Sequence, residues 1–492
     1  MTMATATTLM DPRTWSGKIF DGGWIAPGDG EYAALEPATG RTLGMVGRAS
    51  TADVTRAAAH AAEAQVAWAR LPFDARAGVL RRAAALWEAH AGEVIDWLMR
   101  ESGSAPGMAG FQIHVAAQEC HAAAALPAQP YGQLLRSEAP RLSMARRLPA
   151  GVVGVIAPFN APLILSIRSV APALALGNAV LLKPDPRTAV CGGVSLARIF
   201  EEAGLPAGLL QVLPGGADIG EAMIADPHVR IISFTGSTAA GRAVGALAAR
   251  HLKRGHLELG GNSALIVLDD VDVERAVSAG AWGSFFHQGQ ICMATSRHLV
   301  HERIAEEYVS RLSTLAEQLV VGDPSTQQVS LGPIIDMRQR DKIHGIVTTS
   351  VDAGARLAAG GRYDELFYRP TVLADVTPEM PAYAQEIFGP VAPVTRFSGL
   401  DEVVALAAGT EYGLSLGILA GDTMRALELA ERIPSGIVHI NDQTVNDEAV
   451  APFGGIGASG TGARFGGPEW NVDAFTETQW VTMRGQIAPH QL

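Results

Sequence analysis

The chain has 492 residues, with 50 acidic and 38 basic side chains and a formal net charge of −12. That length exceeds one compact core and predicts two domains with a small third element. The charge excludes a nucleic-acid surface, which needs clustered Lys and Arg.

The three cysteines, Cys120, Cys191 and Cys292, are far apart and form no CxxC pair or Cys/His cluster. Neither a disulfide framework nor a metal site is indicated, and a reducing, cytoplasmic compartment fits. The first ten residues lack the basic and apolar regions of a secretory signal. The longest apolar stretch, residues 151–182, is broken by Pro158, Asn160, Pro162, Arg168, Pro172 and Asn178, so no membrane span is expected.

Residues 51–100 are Ala-rich, with apolar side chains at helical spacing. They predict two long helices, with Asp53 and Asp74 as N-caps. Residues 131–149 are polar, alternating and flanked by prolines, and read as an extended arm. From Pro149 the pattern becomes strand and helix in alternation. Short apolar runs end at Pro158, at Pro184, at Pro214-Gly215-Gly216 and at Thr235-Gly236-Ser237. Apolar strands alternating with helices predict a parallel sheet covered on both faces. A second α/β series opens at residues 265–268. It continues through a helix over 277–286 and strands at 297–300, 392–397 and 436–440. The tail beyond Gly467 returns to alternation around Trp480 and predicts a pairing strand.

Several segments can carry chemistry. In Phe286-His287-Gln288-Gly289-Gln290-Ile291-Cys292 a thiol follows an apolar helix and a Gly-Gln turn, where a loop position favours reaction over packing. Glu258 lies in an otherwise apolar run before Gly260-Gly261, where a solvated face is not expected. Asn160 sits between Pro158 and Pro162, on a loop stiff enough to fix an oxyanion donor. Gly236 and Ser237 follow a strand and open a helix, whose free N–H groups suit a phosphate. Lys183 ends a strand, the edge at which parallel sheets bind ligands. Glu386 and Phe388 share one face of an extended segment, a carboxylate for ribose beside a ring for a flat heterocycle. Each of these taken singly also reads as an ordinary turn, surface charge or core residue.

Their joint order is specific. With Pro158-Phe159-Asn160, Lys183-Pro184, Phe234-Thr235-Gly236-Ser237, Glu258-Leu259-Gly260-Gly261, Gly289-Gln290-Ile291-Cys292, Glu386-Ile387-Phe388-Gly389-Pro390 and Pro452-Phe453-Gly454-Gly455, the chain resembles the aldehyde dehydrogenase superfamily over nearly its whole length. The resemblance implies an α/β fold in three parts. These are a Rossmann-like cofactor domain (residues 1–130 and 150–258), an α/β catalytic domain (259–466) and a β-arm for oligomerisation (131–149 and 467–492). It implies a homodimer or homotetramer acting on a small-molecule aldehyde, with no nucleic-acid or membrane partner. It also implies roles. Cys292 attacks the aldehyde, Asn160 and the Cys292 N–H hold the oxyanion, and Glu258 activates the hydrolytic water. Lys183, Gly215, Gly236, Ser237, Leu259, Phe159, Gln339, Lys342, Glu386 and Phe388 bind the cofactor.

Two positions depart from the family pattern. Pro186 stands where many NAD-preferring members carry a ribose-binding Glu, which leaves NADP open beside NAD. Phe159 replaces the usual Trp before the oxyanion Asn.

Phe159, Leu163, Ile291, Met293, Val445 and Phe453 flank the chemistry and predict an apolar substrate pocket. Arg168 is the one cation near the thiol. Within the superfamily, residues 287–293 and 439–443 look most like bacterial benzaldehyde and vanillin dehydrogenases, so an aromatic aldehyde is expected. The rival readings are an aliphatic or semialdehyde dehydrogenase, a CoA-acylating relative, which would lack Glu258, a cofactor-free thiol esterase, and a non-catalytic scaffold.

Overall fold

A computed structural model describes residues 8–489; residues 1–7 and 490–492, the outer ends of the expected cofactor domain and arm, lie outside the described residues. The four apolar runs read from the sequence form four adjacent strands of a seven-stranded sheet. Its order is Arg254–Glu258, Val229–Thr235, Val152–Ile156, Ala179–Lys183, Leu210–Val212, Ile19–Asp21, Trp24–Ile25. The first five strands are parallel, Ile19–Asp21 runs antiparallel to them, and Trp24–Ile25 pairs antiparallel with Ile19–Asp21. The two N-terminal strands are only 3 and 2 residues long, too short to show a period. Val152–Ile156 and Ala179–Lys183 are buried at every position, as strands covered on both faces must be.

The helices before this sheet differ from the prediction. Residues 51–100 hold Thr51–Arg70, Phe73–Ala89 and most of Ala91–Ser102, three helices rather than two, separated at Leu71-Pro72 and at His90. Ser50, not Asp53, is the first N-cap: its hydroxyl accepts from Asp53 N–H while the Asp53 carboxylate returns to Ser50 N–H. Asp74 sits in the first turn of its helix and caps nothing.

The second sheet also has seven strands. Its order is Arg356–Ala359, Thr371–Ala374, Val391–Phe397, Thr295–His301, Ser263–Val267, Ser415–Leu419, Ile437–Ile440, parallel except for the first. Alternation divides its side chains between two cores. Ala264, Ile266 and Leu268 enter one and Leu265 and Val267 the other.

Between the two sheets run Leu259, Gly260, Gly261 and Asn262, directly after Glu258 ends the edge strand of the first. Both glycines are needed for close approach: a Cβ on Gly260 would strike the Glu386 carboxylate, and one on Gly261 the Cys292 carbonyl oxygen.

Gly132–Leu134, Leu142–Pro149 and Thr476–Met483 form a separate antiparallel sheet, with Trp480 opposite Ala145. The tail strand starts at Thr476. The residues before it form the helix Pro468–Phe475, whose Ala474 and Phe475 belong to the first core rather than to the arm. Among the described residues no helix is long and apolar enough to cross a membrane.

Candidate active site

The helix Val273–Phe285 stops short of the cysteine, and the chain then turns through three consecutive left-handed residues, His287 (φ 50°), Gln288 (φ 57°) and Gly289 (φ 64°). Left-handed non-glycine residues cost about 1 kcal/mol or more each, so neighbours must impose them. They do. Gln288 Nε2 donates to the carbonyls of Gly103 (2.9 Å) and Pro333 (3.1 Å), and Gln290 Oε1 accepts from Ile335 N–H (3.1 Å). His287 Nε2 donates to the Asn160 carbonyl at 2.6 Å. Burial lowers the His287 pKa to about 4, so the ring is neutral with its proton on Nε2. In return the Asn160 side-chain amide donates to Gln290 O at 2.8 Å, which leaves its second N–H free. The thiol loop and the Asn160 loop are thus one hydrogen-bonded unit.

Cys292 is partly accessible and lies in the wall of two cavities at once. Its pKa is pushed up to about 12, first by burial and then by the carboxylates of Glu386, Glu258 and Asp447, with Arg168 opposing. Glu258 is 3 % exposed, and among the described residues neither of its oxygens accepts a hydrogen bond of ordinary geometry. Burial therefore holds it well above the usual carboxylate range, while Arg464, Arg168 and the nearby Gly455 N–H pull it down. It lines neither cavity; the following Leu259 and Gly260 line one of them.

The larger cavity, about 870 Å³, lies at the carboxyl ends of the first sheet. Lys183 ends its strand there, 7 % exposed, and burial lowers its pKa. Gly236 and Ser237 face the same space. The Ser237 hydroxyl caps the helix Thr238–Arg250 by accepting from Ala240 N–H. Gly215 does not line it. Gly216 does, because Gly215 is turned against Ile219.

Glu386 and Phe388 both line the cavity with Ile387 buried between them, but the segment is a loop and not an extended strand, with Phe388 left-handed at φ 56°. Glu386 Oε1 accepts from Gly261 N–H at 3.0 Å. Gln339 and Lys342 hold this loop: Gln339 Nε2 donates to Phe388 O (2.9 Å) and Lys342 Nζ to Glu386 O (2.9 Å). Phe159 meets Phe388 edge-on at 5.8 Å. The sequence reading missed Arg187. It lies 4.1 Å over the Phe159 ring and pairs with Asp185 (2.8 Å) and Asp336 (2.7 Å).

The smaller cavity, about 450 Å³, opens on the other side of Cys292. Ile291, Met293, Val445 and Phe453 line it as predicted. Two expected pocket residues do not. Phe159 faces only the larger cavity. Leu163 is fully buried in the first core, and Ile164 and Leu165 take the wall instead, since each helical step turns a side chain by about 100°. Met108, Phe111, Trp282 and Phe286 complete the apolar wall. Trp282 and Phe286, four residues apart, stack at 4.4 Å, a spacing that could have been read from the sequence. Phe111 could not. Its helix, Pro106–Ala125, is apolar on most sides and shows no stripe. Arg168 is here too, buried and already paired with Glu119 and Asp447.

A strand-end cavity of dinucleotide size that meets an apolar cavity at Cys292 suits an oxidoreductase of the α/β class. Residues 24–481 match the aldehyde dehydrogenase family, and the chain belongs to that family. It is 69 % identical over 481 residues to a vanillin dehydrogenase of Amycolatopsis sp., covering 98 % of this chain and 99 % of that one. It is 48 % identical over 470 residues to a Pseudomonas putida benzaldehyde dehydrogenase (NAD⁺), covering 95 % and 96 %. Among solved structures, a salicylaldehyde dehydrogenase from Pseudomonas putida G7 complexed with salicylaldehyde superposes with a TM-score of 0.93 at 36 % identity, covering 96 % and 99 %.

Proposed function

We propose that the protein oxidises an aromatic aldehyde to the carboxylic acid, with NAD as the preferred hydride acceptor. The observation that carries this reading is the position of Cys292 in the shared wall of the two cavities, one of them apolar and rich in rings. The relatives named for vanillin, benzaldehyde and salicylaldehyde support the same substrate class.

The residues of the larger cavity fit a dinucleotide. A helix N-terminus at Ser237 suits the pyrophosphate, Lys183 and Glu386 suit the two riboses, and Phe388 suits the nicotinamide ring. When bound, that ring accepts the hydride. With Pro186 in place of the ribose-binding Glu, preference rests on other charges: Glu221 lines the same cavity as Lys183 and disfavours an added 2′-phosphate, while Asp185 there is paired with Arg187.

Cys292 supplies the nucleophile and, once its proton is removed, attacks the carbonyl carbon. The hemithioacetal oxyanion takes the free Asn160 N–H and the Cys292 backbone N–H. After oxidation a thioester remains on Cys292. Glu258 has the raised pKa and the low-dielectric setting of a general base, and it activates the water that releases the acid. Its presence argues against acyl transfer to CoA. The protein acts as a homo-oligomer through its three-stranded arm, and its well-separated free thiols suit the cytoplasm.

Purified protein mixed with benzaldehyde should reduce NAD faster than NADP, read from the absorbance of the reduced cofactor. Absence of turnover with benzaldehyde would sink the proposal. Cys292→Ala should be inactive. Glu258→Gln should give one burst of reduced cofactor per active site and then stall, and loss of the burst as well would contradict its assignment to deacylation alone.

A further inference from the structure

Among the described residues, Arg168 is the one basic side chain in the wall of the apolar cavity, and it is not free to serve a substrate. Its side chain is 5 % exposed. Nη2 donates to both Asp447 oxygens at 2.5 Å, Nε donates to Glu119 Oε1 at 3.2 Å, and the guanidinium lies 4.8 Å over the Phe453 ring. Nη1 is buried without a partner. Asp447 shares the cavity wall with Arg168, whereas Glu119 lies behind it and is fully enclosed. Two carboxylates thus face one guanidinium, so the group carries no net positive charge even when one carboxyl is protonated. Asp442, also in the wall, adds a further negative charge.

We propose that Asp447 masks Arg168, and that this masked cation makes the cavity select aldehydes without a charged ring substituent over those bearing a carboxylate. The inference rests on the aromatic-aldehyde reading and sharpens it. An anionic substituent entering this cavity loses its water and finds no uncompensated cation, an arrangement that is strongly unfavourable for a buried charge. A neutral ring meets apolar walls and the Phe453 face. Replacing Asp447 by a neutral amide removes one negative charge from the group, leaves Glu119 behind the guanidinium as its remaining carboxylate, and frees the Nη2 donors that Asp447 occupies at the cavity wall. Arg168 should then accept a carboxylate in the bidentate manner guanidinium favours.

The test compares 3- and 4-formylbenzoate with their methyl esters, which keep the ring and add no charge. In the native enzyme kcat/KM for the esters should exceed that for the acids by about 100-fold, and Asp447→Asn should narrow that ratio at least tenfold. Asp447→Ser provides the same unmasking if the amide variant is poorly folded, judged by thermal melting. Equal use of acid and ester by the native enzyme, or an unchanged ratio in folded variants, overturns the mask. That result is separable from failure of the wider reading, because benzaldehyde turnover would be intact. Loss of benzaldehyde turnover in the native enzyme overturns both.

Discussion

Cys292 is held as a thiol at neutral pH by causes that can be named: burial first, then Glu386, Glu258 and Asp447, with the Arg168 charge opposing them. A thiol whose pKa is pushed up to about 12 should gain thiolate about tenfold for each pH unit below that value. Alkylation of Cys292 by iodoacetamide in the cofactor-free enzyme, followed by peptide mass spectrometry, should therefore accelerate about tenfold per unit from pH 7 to 10. A plateau below pH 9 would show that the thiol is activated at rest. Cys292 was legible because its motif is local. The groups that set its electrostatics were not. Arg168 and Asp447 are 279 positions apart, and Arg187 and Asp336 are 149 apart, so no window of sequence shows either pair.

The turn that presents the thiol owes its shape to partners outside the segment, and His287 does two things at once. Its Nε2–H satisfies the buried Asn160 carbonyl, and by holding that backbone it fixes the amide that also bonds Gln290 O. His287→Leu keeps the bulk but leaves that carbonyl unpaired, which costs about 1–3 kcal/mol in a buried site. The larger effect is on positioning. kcat should fall about 10- to 100-fold while KM for the cofactor stays unchanged, because a displaced oxyanion donor is felt only as charge develops. His287→Gln retains an N–H donor and should restore much of the rate. Equal losses in both variants would reduce His287 to a packing residue. Strands were easy to read because a short apolar run closed by a proline has few alternatives, as at Val152–Ile156 and Ala179–Lys183. Helix facing was harder. The helix Pro162–Ala175 is buried nearly throughout, so nothing in its sequence distinguishes Leu163 in the core from Leu165 at the cavity.

At the scale of the molecule, the two seven-stranded sheets are covered by helices, whereas the three-stranded arm stands apart. Its register decides which side chains share a face. Leu134 pairs with Met144, Met144 with Val481, and Leu142 with Met483, so one face gathers Leu134, Leu142, Met144, Val481 and Met483. Trp480, opposite Ala145, lies on the other face. Leu134 is 79 % exposed and Met483 59 %. A small sheet with an uncovered apolar face is marginal alone and gains stability when a second surface covers it. Such an association buries this face without altering either cavity, so assembly and chemistry should be separable by mutation. Light scattering should give a mass that is a multiple of the 51.5 kDa chain. The double variant Leu134→Glu/Met483→Glu, which changes only exposed side chains, should shift it toward the single-chain mass. An unchanged mass would place the contact elsewhere, whereas a single-chain mass for the native protein would leave the apolar face without a partner of its own kind.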